Sequence, residues 1–183
     1  MCLNGGSMKI VAVSSGLVLA ACAAALAQWI FAQGKEGDPG FLGPGVLIAD
    51  INLALQIMLL LGLTFGAWLA RKGRIEAHRV NQTTWVLVNA ALVIFIMWGS
   101  MADAPLSRAA DLAPTKVWLT WLHAAIGSLT VAAGVWLILQ MNDILPARWH
   151  VSWWKNLMRA TLIGYWIVAL LGFTTYYLWY GVS

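Results

Sequence analysis

The sequence predicts an all-α integral membrane protein. It has five transmembrane helices: an antiparallel four-helix core formed by helices 2 to 5, and a peripheral N-terminal helix. Three observations carry this reading. Of the 183 residues, 61% are hydrophobic and only 10% charged, where a soluble domain carries about 25% charged residues. Five apolar runs are each long enough to cross about 30 Å of hydrocarbon at about 1.5 Å per residue. The breaks between them gather charge, glycine and proline. The whole of residues 1–183 is then a single membrane domain.

The runs fall at about 9–31, 47–70, 82–101, 117–140 and 157–180. The first, entered through Lys9 and passing Ala25-Leu26-Ala27, resembles a secretory signal, and Leu19-Ala20-Ala21-Cys22 resembles a lipoprotein cleavage box. Retention as a membrane helix is the expected outcome. Gly34 to Pro44 breaks the first run from the second with charges, glycines and two prolines. The basic stretch Arg71 to Arg79 separates the second from the third. Ala102 to Lys116, with Pro105 and Pro114, comes after the third, and Asn142 to Lys155, with Pro146, after the fourth. Modest connections favour antiparallel neighbours, which gives the up-down core.

The net charge of +4 is a topology signal once it is mapped. Lys9, Arg71, Lys72, Arg74, Arg79, Arg148, Lys155 and Arg159 fall on one side, and Lys35, Arg108 and Lys116 on the other. Cytoplasmic loops carry the excess of Lys and Arg, so the N-terminus is expected inside and the C-terminus outside. Nucleic acid is not an expected partner; membrane lipid is. Trp29, Trp68, Trp118, Trp121, Trp149, Trp153, Trp154 and Trp179 lie near helix ends, the positions of interfacial aromatic anchors. Cys2 and Cys22 form no CxxC or CxxCH motif, so neither a redox dithiol nor a covalently attached haem is encoded.

No Walker motif, GxGxxG, HExxH, Ser-His-Asp order or paired acidic motif is present. No catalytic residue is assigned, and the chain is not expected to be an enzyme on its own. Chemistry must be sought in polar residues at membrane depth, which are costly there and tend to serve function. The third helix carries His78, Gln82 and Asn89 on one face. The fourth carries a small and polar stripe of Thr120, His123, Gly127, Thr130 and Gly134. That stripe serves close helix packing or makes room for a flat cofactor beside His123. The second helix starts with Asp50, Asn52 and Gln56. Asp50, Asn52 and His123 are expected at similar depth, where they form a candidate metal site, a proton relay or hydrogen bonds between helices. His150 lies in a loop or early helical turn among Trp and Arg, where a headgroup contact competes with a ligand role.

The stretch Arg71-Lys72-Gly73-Arg74-Ile75-Glu76-Ala77-His78-Arg79 resembles the link between helices 2 and 3 of a family of small bacterial membrane proteins connected with cytochrome c oxidase maturation, the YozB/CtaM-like family. His123 in Thr120-Trp121-Leu122-His123, and the basic segment Arg148 to Arg159 before an aromatic last helix, are similar to that family too. The resemblance covers about residues 47–180. The layout is also similar to the ascorbate-reducible cytochrome b fold, whose helices 2 and 4 hold one haem and helices 3 and 5 another. By position it implies His78 and His150 as an inner pair of haem ligands and His123 as one outer ligand. The helix 2 ligand is missing, since Asp50, Ile51 and Asn52 stand there. The family linked to oxidase maturation also tends to carry a His there, so the chain departs from both.

The resemblance implies an assembly factor or accessory subunit of a respiratory or electron-transfer complex in a bacterial inner membrane, with subunits of that complex as partners. Two alternatives stand beside it. One is a monohaem b-type cytochrome that uses His78 and His150, holds one haem b and exchanges electrons with quinol. The other is a lipid- or pigment-binding structural subunit.

Overall fold

The computed structural model describes residues 5–33, 40–42, 46–97 and 115–181. They form five long helices and no β-strand. The helices are α1 (Gly5–Gln33), α2 (Leu47–Arg71), α3 (Ile75–Leu92), α4 (Thr115–Met141) and α5 (Trp154–Tyr176). Each of α3 and α5 runs on into a π-helical turn, Val93–Met97 and Tyr177–Gly181 respectively. A single 3-10 turn, Ala147–Trp149, lies between α4 and α5. Most of the Gly34 to Pro44 break, and the stretch Ala102 to Pro114, lie outside the described residues.

All five helices are long and apolar enough to cross a membrane. Their outward faces are apolar as well: Leu61, Leu129 and Leu170 are 61%, 73% and 62% exposed. Apolar surface of this extent is a liability in water, and it suits hydrocarbon. Trp29, Trp68, Trp149 and Trp153 are exposed close to helix ends, where anchoring places them.

Four of the helices begin earlier than their apolar runs, α1 and α4 at Gly5 and Thr115 rather than 9 and 117. α3 starts at Ile75 rather than near residue 82, and α5 at Trp154 rather than 157. Polar and charged residues extend each helix beyond its apolar part. Glu76 and Arg79 pair one turn apart in α3, with the guanidinium nitrogen 2.9 Å from the carboxylate. The α2–α3 connection is therefore only Lys72 to Arg74, and Gly73, at φ +74, supplies the left-handed step that turns the chain.

α2 packs against α3 and α5, α4 packs against α3 and α5, and α1 lies chiefly along α3. A shared core of Leu59, Leu60, Leu63, Val86, Ile138 and Tyr165 sits among α2–α5. Glycines set the closest approaches. A Cβ on Gly62 would stand 2.2 Å from the Trp85 ring, and one on Gly66 2.4 Å from Asn81 Nδ2. α1 meets α3 at Gly16, where a Cβ would lie 2.8 Å from Leu87 Cδ1. Buried Ala12, Ala20 and Ala24 continue that stripe at helical spacing, the small-residue packing common between membrane helices. Beyond the apolar region, Lys9 of α1 makes an ion pair with Asp143, just past α4. The hydrogen bond from Lys9 holds the Asp143 carboxyl below its usual range.

Candidate functional site

A cavity of about 370 Å³ opens among α2, α3, α4 and α5, toward the end at which α2 and α4 begin. Its walls are mostly apolar, and among the described residues no Asp, Glu, Lys or Arg lines it. The small residues Ala49, Ala124, Gly127 and Gly172 hold it open, and Phe173, Tyr176, Trp179 and Tyr180 give it aromatic walls. A Cβ on Gly127 would touch only Val168, at 3.6 Å, whereas one on Gly172 would press His123 Cε1 at 3.1 Å.

Several polar groups in this wall have no partner. Asn52 Oδ1, His123 Nδ1, Tyr165 Oη and Thr175 Oγ1 are buried, make no hydrogen bond and belong to lining residues. Buried polar atoms are satisfied in the great majority of cases, so four orphans around one space need an account. The His123 ring faces the backbone of Val168 without closing a bond of ordinary geometry. Either nitrogen of a neutral imidazole can carry the proton, so the unpartnered Nδ1 donates or accepts according to tautomer. The Tyr165 hydroxyl is directed at buried Asn89 without closing a bond of ordinary geometry. Gly134 makes space for it, since a Cβ there would sit 2.8 Å from Tyr165 Oη.

The small and polar stripe of α4 divides between the cavity and helix packing. Thr120, His123, Gly127 and Thr130 line the cavity, while Gly134 packs against Tyr165 and Val86. Thr130 bonds back to the Ile126 carbonyl at 2.8 Å. Thr120 Oγ1 donates to the Lys116 carbonyl at 2.7 Å and accepts from Trp179 Nε1 at 3.0 Å. Lys116 sits over the Trp179 ring, 4.6 Å from its centre. Trp179 thus belongs to the cavity mouth as well as to the interface.

The three polar residues at the start of α2 do not share one site. Asp50 is fully buried, and both carboxylate oxygens are taken. One accepts the Leu42 N–H at 2.6 Å and the other the Tyr176 hydroxyl. It ties the segment before α2 to the end of α5. Asn52 faces the cavity with His123, and Gln56 lines it too, its Nε2 lying 3.9 Å from Met97 Sδ. Among the described residues no three His, Cys, Asp or Glu side chains cluster as metal ligands.

The polar face of α3 also divides. His78 Nδ1 donates to the Gly66 carbonyl at 2.8 Å, Asn81 to Gly62 at 2.8 Å and Gln82 to Leu63 at 2.9 Å. These are clamps onto α2, made where glycine lets the helices close. Asn89 alone of the singled-out α3 residues reaches the cavity. His78 Nε2 is buried with no partner. His150 lies exposed in the loop before α5, with Nε2 on the Leu145 carbonyl at 3.0 Å. That loop is pinned by Gln140, whose side chain both accepts from and donates to the Val151 backbone, at 3.0 and 3.1 Å. Neither His78 nor His150 lines the cavity. As placed, the pair does not fit a haem, because the second ligand points into a solvated loop with its nitrogen engaged.

Tyr165, Thr175, Tyr176 and Trp179 were not legible as site residues. Each sits in a helix of aromatic and apolar residues that reads as lipid-facing. A faint signal was the recurrence of Tyr165, Val168, Ala169 and Gly172 at helical spacing opposite the α4 stripe. No protein-family model, curated protein or solved structure matches the chain.

Proposed function

We propose that this chain is a multi-pass bacterial inner-membrane protein, N-terminus in the cytoplasm, whose four-helix core of α2–α5 holds an uncharged, lipid-soluble molecule beside His123. On this reading it serves an electron-transfer complex as an accessory subunit or assembly factor. The cavity is the observation that carries the ligand. An opening of about 370 Å³ between apolar helices is of a size that small ligands fill. Water is a poor filling for walls this apolar. The described lining carries no Asp, Glu, Lys or Arg to pair with an ion, which favours a neutral occupant.

The role in electron transfer rests on the resemblance in Arg71 to Arg79, His123 and Arg148 to Arg159, together with the lack of any nucleophile–base pair in the sequence. Orientation rests on eight of the eleven Lys and Arg residues falling on one side.

Extraction of the protein from native-membrane nanodiscs, followed by mass spectrometry, tests the ligand. An uncharged lipid-soluble species should be enriched over bulk lipid and should vanish in Gly127→Leu, which fills the cavity. Recovery of bulk phospholipid alone from both proteins would remove the reading. Copurification with an oxidase tests the role, and a deletion strain with unchanged oxidase and haem content would end it. One observation favours a haem at the opposite end held by His78 without His150: His78 presents a buried free Nε2 while Nδ1 is held by a carbonyl, the posture of ligating histidines. A purified protein with no dithionite-reduced b-type band would dispose of it.

A further inference from the structure

Independently of the cavity, we propose that the end of the bundle formed by the α2–α3 turn and the α4–α5 loop docks anionic phospholipid headgroups, in preference to zwitterionic ones.

The net charge of +4 is unevenly divided. By their places along the chain, eight Lys and Arg stand against two acids, Glu76 and Asp143, at this end, a net +6. At the other end three stand against five acids, a net −2. Both acids of the positive end are engaged, Glu76 with Arg79 and Asp143 with Lys9. Arg71, Lys72, Arg74, Arg148, Lys155 and Arg159 are exposed, and among the described residues none of them has an acidic partner. Arg71 ends α2, while Lys155 and Arg159 lie in the first turns of α5. These two helices pack against each other, so the cations of both connections gather at one end of the bundle. Like charges so gathered repel one another, and a bound counter-charge relieves that cost.

The surroundings of these cations point to lipid rather than to an acidic protein. Trp68, Trp149, Trp153 and Trp154 are exposed among them, as are Ile75 and Ile144. Tryptophan rings beside apolar helices belong at headgroup level. Lys72 Nζ lies 5.8 Å from the centre of the Trp68 ring, and Lys155 Nζ 5.6 Å from that of Trp154. Each ammonium is thus held at the depth of its tryptophan, with its apolar stem kept out of water. That depth is where lipid phosphates lie. A zwitterionic headgroup brings its own cation to such a surface and gains little, whereas an anionic one brings uncompensated negative charge. Each Lys or Arg beside the membrane surface should strengthen anionic lipid binding by about fivefold.

The test is native mass spectrometry of the full chain in neutral detergent with equimolar phosphatidylglycerol and phosphatidylcholine, reading the ratio of singly bound lipids. A ratio of at least about fivefold toward phosphatidylglycerol, shrinking as ammonium acetate is raised, supports the assignment. The triple variants Arg71→Gln/Lys72→Gln/Arg74→Gln and Arg148→Gln/Lys155→Gln/Arg159→Gln should each lower the ratio by about fivefold or more. Lys116→Gln, at the opposite end, should leave it unchanged. Circular dichroism checks helix content. Where a triple variant does not fold, the exposed Arg148→Gln and Lys155→Gln carry the same test singly, at about fivefold each. A ratio near one, a ratio that survives the substitutions, or one that falls equally in Lys116→Gln overturns the proposal. Binding of poly-glutamate by a chain that shows no lipid preference would make this end a protein-docking surface instead, and the lipid assignment falls.

Discussion

Asp50 shows how a residue is placed by what satisfies it. A carboxylate removed from water needs strong donors, and here a backbone N–H and the Tyr176 hydroxyl supply them. It also sits in the first turn of α2, where the helix dipole favours negative charge. Tyr176→Phe should therefore destabilise the protein by about 1–3 kcal/mol, read as a lowered thermal midpoint in detergent. An unchanged midpoint would show that the bond contributes nothing. The sequence shows the depth of Asp50, Asn52 and His123 along their helices but not the direction of each side chain. Residues 50 and 52 stand about 200° apart on a helix of about 3.6 residues per turn. One can face the cavity only if the other faces away, so grouping them as ligands asked one helix to point both ways.

At the scale of elements, the glycines divide into two kinds that composition does not separate. Gly62 and Gly66 are contact glycines: α3 lies against them, and its His78, Asn81 and Gln82 bond to carbonyls of α2 at and beside them. Gly62→Ala should force Trp85 to move and cost about 1–3 kcal/mol. Gly127 is a space glycine. Gly127→Ala meets only an ordinary contact with Val168 and gains up to about 1 kcal/mol of helix propensity. It should leave the unfolding midpoint level or higher while reducing ligand retention. Opposite responses at two membrane glycines would be hard to explain by helix propensity alone, and identical responses would refute the distinction. The number and type of the helices were readable because runs of this length have few alternatives. Their starts were misplaced because the ends of α3 and α5 are polar, and apolar runs do not register polar helix.

At the scale of the whole molecule, α1 is fastened by small-residue packing on α3 and by the Lys9–Asp143 pair. The Asp143 carboxyl is held below its usual value of 3.8 in the fold. A depressed carboxyl contributes stability above its unfolded pKa and loses it as pH falls through the folded value. The pair should thus be intact at neutral pH and weaken only as pH drops below about 4. Asp143 is largely exposed, so Asp143→Asn should cost no more than about 1 kcal/mol. It should also flatten the acid end of a pH–stability curve, and a variant that kept the wild-type curve would assign that dependence elsewhere. The cavity was only hinted at by the small residues of α4 and α5, because a void is a property of four helices at once.

The π-helical turns that end α3 and α5 carry a consequence for how such a chain can change. Each lets one more residue into the helix than regular pitch would hold, and Val93, Ile96 and Met97 from one turn, with Trp179 and Tyr180 from the other, form part of the cavity wall. Deleting a single residue from Val93–Met97 would return the turn to regular pitch and remove one side chain from this stretch of helix. Capacity for a ligand is then a matter of chain length at two points, gained or lost by insertion or deletion of one codon while the bundle stays as it is.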